Sequence, residues 1–539
     1  MILMRERADS RTLGLIKQLL SKGRISIKRW GDVSGSALII ADERSLRTAN
    51  GQFALCTAIN TLSRLYPILT YIGLSIPASA VFSIDVPLFT KDRVLDAAIE
   101  FTNKLQLDCK VECIDTPHGN WDAVLSIGPL KTNLKNMVSI ASDGWIAYAS
   151  TDELVPVFTE KTNPIGAYAA ACIGGMEVFK KVFLKKSNLL LPKKANSDAR
   201  WRLKFIRGQI SFSAFDYRVN VNSTNNPRLP STVDLGDLYI AGVGAGGGAI
   251  AYTLASLNDL KGQLTLIDPD EVKPGNMNRY VYALEKDSAG NKPKVKAVEE
   301  LFEAFKKLDV QAYPYPYQEL KASGKIDNID VLISAVDTKE TRRQMQWDMP
   351  RIILDAAVVV TDFYIRRVEI GQSPCLLCTH KAREVERSLE EIVSEVIGLS
   401  ATEIVRLRST NACMTQKHIN QMIKSSEKYG FTLPSAGERF SDWWMMHCGE
   451  LVLPATQERI PLPFATILPG ILIAGEVIKE RYFPKDVLQN YYSYNMINLP
   501  PNGMTPMKPV HDCIFCSLPL TKEIYMKKYA LKRFESKLK

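Results

Sequence analysis

The chain has 539 residues, 46% of them hydrophobic and 23% charged, and this length favours two or three globular domains over a single core. The net charge of +10 is modest, and no aromatic residues are interleaved among basic ones, which argues against nucleic-acid binding. Charges near the N-terminus argue against a signal peptide, and prolines within 460–475 argue against a membrane span. We therefore expect a cytoplasmic protein.

Strand-like apolar runs alternate with helix-like segments in residues 1–205. The clearest strands are 36–41 and 123–127, and the stretch 164–183 is typical of a buried helix. A polar segment, 220–232, follows and is typical of a linker or an extended arm. The first half of the chain is therefore predicted to be an α/β domain.

The alternation of strands and helices is clearer in residues 206–378. Its spacing predicts a doubly wound, parallel α/β sheet of the Rossmann-like type. The expected strands are 237–242, 263–268, 331–334 and 351–354.

The two halves also resemble each other. The stretches 163–180 and 463–479 both run from a proline through small apolar residues to a Glu-Val-x-Lys exit. This likeness favours an internal duplication, although any two buried helices share some character. The first half has no glycine-rich turn after a strand, so it is predicted to be a degenerate, inactive relative of the second.

A glycine cluster follows the strand 237–242 directly and precedes a helix-like run. Glycine lets the backbone turn tightly and approach phosphates, and the amides at the helix start then face the negative charge. Asp268 lies about twenty residues further on, where a carboxylate can hold ribose hydroxyls. The candidate nucleotide-binding glycines are Gly242, Gly244, Gly246 and Gly247.

The residues after Asp268 differ from those of a dehydrogenase. Two cations, Arg279 and Lys294, suit a triphosphate and a leaving pyrophosphate, and Asp337 after a strand suits a magnesium ligand. A hydride-transfer site has no use for this set, which disfavours an NAD-dependent oxidoreductase. The candidate nucleotide-binding residues also include Asp270 and Asn276.

This order of motifs resembles the ThiF/MoeB/ubiquitin-activating enzyme family, whose pattern is Gly-x-Gly-x-x-Gly, Asp-x-Asp, Asn-x-x-Arg, Pro-Lys and a later Asp. The resemblance covers residues 238–516 and implies ATP-dependent adenylation with Mg²⁺. The family borrows a further arginine from an N-terminal arm or a partner, for which Arg218 is the candidate, although the usual Arg-Gln arm motif is absent. The implied roles are ribose binding by Asp268, phosphate contacts by Asn276 and Arg279, charge stabilisation by Lys294 and magnesium binding by Asp337.

Four of the ten cysteines form two Cys-x-x-Cys pairs. Two such pairs can close a tetrahedral zinc site with no open position, which is typical of structural Zn²⁺. Free thiols or disulfides are the alternatives, and the absence of an export signal disfavours disulfides. The resembled family has such pairs at matching places. The predicted ligands are Cys375, Cys378, Cys513 and Cys516.

A catalytic-cysteine insert is predicted between the two pairs, at 379–450. Relatives with a cysteine nucleophile place it just before the last helix of the nucleotide domain, which favours Cys448, next to His447. Cys413 in the same segment is the rival nucleophile, and a buried structural thiol at Cys448 is the alternative. The remaining predicted segments are the second part of the adenylation domain, 451–516, and a basic tail, 517–539, interpreted as a solvated helix or disordered end rather than a docking element.

The resemblance implies that the chain adenylates the C-terminus of a ubiquitin-like protein and passes it as a thioester to a ubiquitin-conjugating enzyme. An inactive half fused to an active half looks like an internal pseudo-dimer, so a monomer is expected. The proportions are most similar to the activating enzymes of bacterial ubiquitin-like operons (the BilD-like type), which act in defence against phage. The alternatives are a sulfur-carrier adenylyltransferase of the thiamin or molybdopterin type and a non-catalytic scaffold.

Overall fold

The computed structural model describes residues 33–190, 204–221, 224–359, 361–380, 389–429, 431–444, 447 and 461–538. These residues form two seven-stranded sheets. The first contains β1 (Ser36–Ala41), β2 (Tyr71–Ser75), β3 (Lys110–Cys113), β4 (Ala123–Ile127), β5 (Met137–Asp143), β6 (Ile146–Ser150) and β7 (Gln209–Ser213). The second contains β8 (Val233–Ala241), β9 (Leu260–Ile267), β10 (Lys307–Tyr313), β11 (Val331–Ser334), β12 (Ile352–Val359), β13 (Asp362–Val368) and β14 (Tyr491–Asn495).

The second sheet repeats the strand order of the first. The orders are β3-β2-β1-β4-β5-β6-β7 and β10-β9-β8-β11-β12-β13-β14. In each sheet the first five strands are parallel and the last two are antiparallel. The four predicted strands of the second sheet are parallel, as expected, whereas the antiparallel strands β13 and β14 at this edge are not predicted. Strand β13 is antiparallel because it follows β12 through residues 360–361, which are too few for the crossover that a parallel neighbour needs.

Helices cover the sheets, and two of the long helices pack against each other where the two domains meet. The helices of the first domain are α1 (Glu43–Leu46), α2 (Ala49–Leu62), α3 (Val94–Leu105) and α4 (Pro164–Leu190). Those of the second are α5 (Ala245–Leu254), α6 (Glu285–Ala289), α7 (Lys294–Glu299), α8 (Tyr317–Ala322), α9 (Lys339–Trp347), α10 (Leu376–Thr379), α11 (Leu389–Ile397), α12 (Ala401–Ser409), α13 (Gln416–Tyr429), α14 (Pro463–Tyr482) and α15 (Pro519–Leu538). Short 3-10 turns occupy Pro274–Asn276 and Glu300–Phe302.

The two Glu-Val-x-Lys exits of α4 and α14 form equivalent buried ion pairs. The Lys180 ammonium contacts Glu177 at 2.5 Å and donates to a backbone carbonyl. The Lys479 ammonium likewise pairs with Glu476 and donates to a backbone carbonyl. All four side chains are buried. Because a buried charge is tolerated only when it is paired and hydrogen-bonded, two independent occurrences at equivalent positions support the internal duplication.

The first sheet extends beyond the predicted domain boundary at residue 205. Strand β7 lies after that boundary, and it pairs antiparallel with β6. The predicted linker is also attached to the first domain, because the Asn226 side chain accepts from the Trp145 amide at 3.0 Å and donates to the Asp143 carbonyl at 3.0 Å. Hydrogen bonds made by single polar side chains hold this extended stretch in place.

The described part of the predicted insert includes the helices α11 to α13, which have a core of their own. Apolar side chains from these helices cluster with Phe440 and Trp443 and are separate from the cores of the two sheets. Cys448 lies outside the described residues, as does most of the segment up to 460. The insert is therefore a small packed unit rather than an extended loop.

The C-terminal tail forms helix α15, which packs on the second domain. The hydroxyl groups of Tyr525 and Tyr529 are directed inward and donate to the carbonyls of Arg351 and Met349 at 2.6 and 2.5 Å. The sequence interpretation of the tail is a solvated helix or a disordered end; it is a helix, but the face that carries these two tyrosines is buried rather than solvated. No helix in the described ranges combines the length and the apolar character needed to cross a bilayer.

Candidate nucleotide site and cysteine cluster

The glycine turn connects β8 to α5 at the carboxyl edge of the second sheet. Gly242 has a φ of 84°, and a Cβ built there would meet the Ala335 carbonyl at 2.7 Å. At Gly247 a Cβ would meet the Gly242 carbonyl oxygen at 1.8 Å. At Gly246, by contrast, a Cβ would find nothing within 4 Å. Gly242 and Gly247 thus serve the fold of the turn, whereas Gly246 leaves open space at the start of a helix, where an anion is favoured.

This difference between neighbouring glycines gives a matched pair of variants. Gly247→Ala should lower the melting temperature, because its methyl group overlaps a backbone oxygen. Gly246→Ala should leave the melting temperature unchanged or raise it slightly, because the higher helix propensity of alanine contributes up to about 1 kcal/mol to the free energy of unfolding. The same variant should weaken ATP binding, because its methyl group fills the open space. Thermal unfolding and ATP titration of both variants check this. Unchanged ATP affinity in Gly246→Ala would contradict phosphate binding at this turn.

Asp268 follows β9 and faces the glycine turn. Its carboxylate accepts from the backbone amides of Val243 and Asp270, each at 2.9 Å. The Lys294 ammonium lies 3.3 Å from Asp268 and 2.7 Å from the carboxylate of Asp270. The structure therefore brings together three of the predicted residues, with Lys294 at the first position of α7.

The neighbouring charges oppose the effect of burial on the pKa values of Asp268 and Lys294. Burial raises the pKa of Asp268 above its ordinary value, although the ammonium of Lys294 acts in the opposite direction. Burial alone would lower the pKa of Lys294, but Tyr280, Asp268 and Asp270 more than offset it, so its pKa lies above the ordinary value. Lys294 is thus a largely buried cation beside the open turn, and the neighbouring acids favour its charged form.

Tyr280 joins the two cations of the site. The Arg279 guanidinium lies 5.3 Å from the centroid of its ring, and the Lys294 ammonium lies 5.8 Å from it. A Cβ at Gly244 would meet the Tyr280 hydroxyl at 3.3 Å, so this ring also borders the glycine turn. Sequence reasoning missed Tyr280; its only signal was its position directly after Arg279.

Three further predicted residues lie outside this group of charged side chains. The side-chain oxygen of Asn276 accepts from the Lys273 amide at 3.0 Å and so stabilises the 3-10 turn. Asp337 is exposed, three residues after the end of β11. Residues 335–336 lie against Gly242, which places Asp337 just past the glycine turn at the same edge of the sheet. Arg218 is exposed and pairs with Asp216 at 3.8 Å, so its role as a borrowed arginine stays a prediction.

The equivalent place in the first domain carries acids instead of glycines. Strand β1 is followed by Asp42, whose carboxylate accepts from the Ser45 amide at 2.8 Å, and by Glu43. A protein carboxylate thus occupies the helix start where the second domain is open, and its negative charge would repel a phosphate. This observation supports an inactive first domain.

The four paired cysteines converge after β13 and before α15. The Sγ atoms of Cys375 and Cys513 lie 3.5 Å apart, as do those of Cys378 and Cys516, and the Cys375–Cys378 separation is 3.7 Å. All four are buried and lie within 4.8 Å of one another. Tetrahedral Zn–S bonds require sulfur separations of about 3.8 Å, so this cluster fits a zinc ion.

An open glycine turn between a strand and a helix of a doubly wound sheet is typical of the nucleotide-binding class of α/β proteins. Residues 235–499 match the model of the ThiF family, and residues 36–188 match the model of the BilD N-terminal domain. The chain thus contains a ThiF-family domain in its second half and a BilD-like domain in its first half. It is 26% identical over 454 residues to the uncharacterized protein y4jF of Sinorhizobium fredii, covering 81% of this chain and 80% of that protein.

Proposed function

We propose that this chain activates a ubiquitin-like protein in two steps. In the first, a carboxylate oxygen at the C-terminus of the ubiquitin-like protein attacks the α-phosphorus of ATP. The bond to the β-phosphate breaks, pyrophosphate leaves and an acyl adenylate remains. In the second, the Cys448 thiolate attacks the acyl carbon, AMP leaves and a thioester forms. The thioester is then passed to the cysteine of a conjugating enzyme.

The observation that carries the first step is the grouping of Lys294, Arg279 and Asp268 around a glycine turn with open space. The carboxylate of Asp268 suits ribose hydroxyls, and the amides at the start of α5 suit phosphate oxygens. The two cations stabilise the charge that builds up on phosphorus and on the leaving pyrophosphate. Asp337 would hold Mg²⁺, which neutralises phosphate charge when bound.

The second step rests on the insert. A packed unit between the two cysteine pairs favours an enzyme with a catalytic-cysteine segment over a sulfur-carrier adenylyltransferase. Within the described part of this insert, Cys413 is an exposed cysteine and forms an isolated strand bridge with Arg439. Cys413 thus provides a matched control for Cys448, because both thiols belong to the same segment.

The test is ATP-dependent charging of a ubiquitin-like protein encoded near this chain, run on gels with and without thiol reductant. We expect a reductant-sensitive conjugate with the wild type and Cys413→Ala, and none with Cys448→Ala. ATP–pyrophosphate exchange should be equal in all three, because the thiol acts only after adenylation. The opposite pattern would move the nucleophile to Cys413.

Two other outcomes separate the alternatives. Exchange without any conjugate would favour a sulfur-carrier adenylyltransferase, and neither exchange nor conjugate would favour a scaffold. A role in defence against phage would require that cells carrying the operon lose protection when Asp337 is replaced by Ala. Equal phage titres on both strains would contradict that role.

A further inference from the structure

A buried arginine of the first domain contacts the nucleotide-binding domain. Arg64 lies just after the end of α2 and is 1% exposed. Its guanidinium donates to the carbonyl of Met277 at 2.7 Å and to the carbonyl of Ala283 at 3.0 Å. Its Nε donates to the side-chain oxygen of Asn60 at 2.8 Å. The Asn60 amide in turn donates to the carbonyl of Val281 at 2.9 Å.

These contacts hold one short segment, residues 277–283, which we call the arginine loop. The loop contains Arg279, one of the two cations of the site, and Tyr280, whose ring lies near both cations. It also contains Tyr282, whose hydroxyl donates to the Val243 carbonyl in the glycine turn at 2.8 Å. The first domain thus donates hydrogen bonds to three carbonyls of the arginine loop. This loop carries Arg279 and contacts the glycine turn.

Burying the charge of the Arg64 guanidinium is costly, more so than a purely structural role would justify. In the described residues its hydrogen-bond partners are oxygens of neutral groups, and no carboxylate pairs with it. Burial lowers the pKa of Arg64 to about 9, so the guanidinium stays charged at neutral pH. A buried charge without a counter-ion is costly, and a planar fork of donors is suited to holding several carbonyls in one geometry.

We propose that Arg64, assisted by Asn60, is a positioning residue through which the inactive first domain fixes the arginine loop for ATP binding. The carbonyl of Met277 belongs to the peptide that leads into Asn278 and Arg279. Fixing it therefore holds the backbone from which the Arg279 side chain extends, and the Arg279 guanidinium in turn donates to the Gly275 carbonyl at 2.9 Å and to the Asn278 side-chain oxygen at 2.8 Å. The inference rests on the proposed nucleotide site in the second domain. It gives a role to the first domain, which has no glycine turn of its own.

The test uses the full chain, with MgATP as the ligand in titration calorimetry and hydrogen exchange of the loop amides without ligand. Arg64→Met removes the donors while filling the same volume. We expect the Kd for MgATP to rise about tenfold or more, because small displacements of binding groups are costly. Exchange across 277–283 should become faster. Arg64→Lys should recover part of the affinity, since its ammonium can still donate to one of the carbonyls.

The matched control is Tyr168→Phe. It removes another buried hydrogen bond between the domains, which joins the hydroxyl groups of Tyr168 and Ser256 at 2.6 Å, and both residues lie outside the arginine loop. Its affinity and loop exchange should equal those of the wild type. Equal loss in Tyr168→Phe would overturn the inference, because the effect would then belong to the interface in general.

The remaining outcomes also support or overturn the inference about Arg64. If Arg64→Met does not fold, Asn60→Ala is measured in the same way, and an unchanged affinity and exchange would overturn the inference. If the wild type does not bind MgATP, the proposed function fails. Hydrogen exchange then decides the inference alone: faster loop exchange in Arg64→Met supports positioning of the loop, and unchanged exchange overturns it.

Discussion

Replacing Asp337 by Ala is expected to lower ATP–pyrophosphate exchange by about a hundredfold or more, because the carboxylate that holds Mg²⁺ is lost. Asp337 is exposed at the carboxyl edge of the second sheet, next to the loop that lies against Gly242. Its removal leaves no cavity, so the melting temperature should change little. The expected result is a nearly inactive protein with an unchanged fold.

The matched control lies at the other end of the same strand. Asp327 is an exposed aspartate before β11, paired with Lys321 at 2.9 Å. Asp327→Ala removes the same charge from the same domain and should leave exchange within about twofold of the wild type, since exposed ion pairs contribute little. If Asp337→Ala also kept exchange in that range, magnesium binding would have to be assigned to another carboxylate.

Loss of zinc is expected to have the second large effect, on stability. The cluster joins Cys375 and Cys378, after β13, to Cys513 and Cys516, before α15. Structural zinc contributes about 10 kcal/mol or more in small domains. Cys375→Ser should therefore lose the metal, lower the melting temperature and free the start of α15, whose tyrosines contact Arg351 and Met349.

Metal analysis, thermal unfolding and limited proteolysis measure these effects. One zinc per chain is expected in the wild type and none in Cys375→Ser, with new cleavage between β14 and α15. Cys56→Ala is the control, because Cys56 is a buried thiol of the first domain outside the cluster. A zinc-free wild type that loses stability on reduction would indicate disulfides instead.

Local sequence patterns predicted the strands next to the site. The expected strands 36–41, 123–127 and 331–334 agree with β1, β4 and β11, because strands buried on both faces are short, continuous apolar runs bounded by polar residues. Other predicted boundaries differ from those of the structure, since β12 continues past residue 354 to Val359 and α4 continues past residue 183 to Leu190. Helix and strand ends depend on hydrogen-bond partners from elsewhere in the chain, which no local pattern contains.

The sequence by itself determined the succession of strand, glycine turn and helix, the order of the acid and cation motifs and the paired cysteines, because these depend on residue type and on short spacings. Only the tertiary structure decided which groups act together. Arg64 meets the Met277 carbonyl across 213 residues of sequence, and Cys375 meets Cys513 across 138. It likewise decided that Gly246 faces open space while Gly247 packs against backbone. Such contacts form when separate elements bury a common surface, and no local pattern records which surfaces will meet.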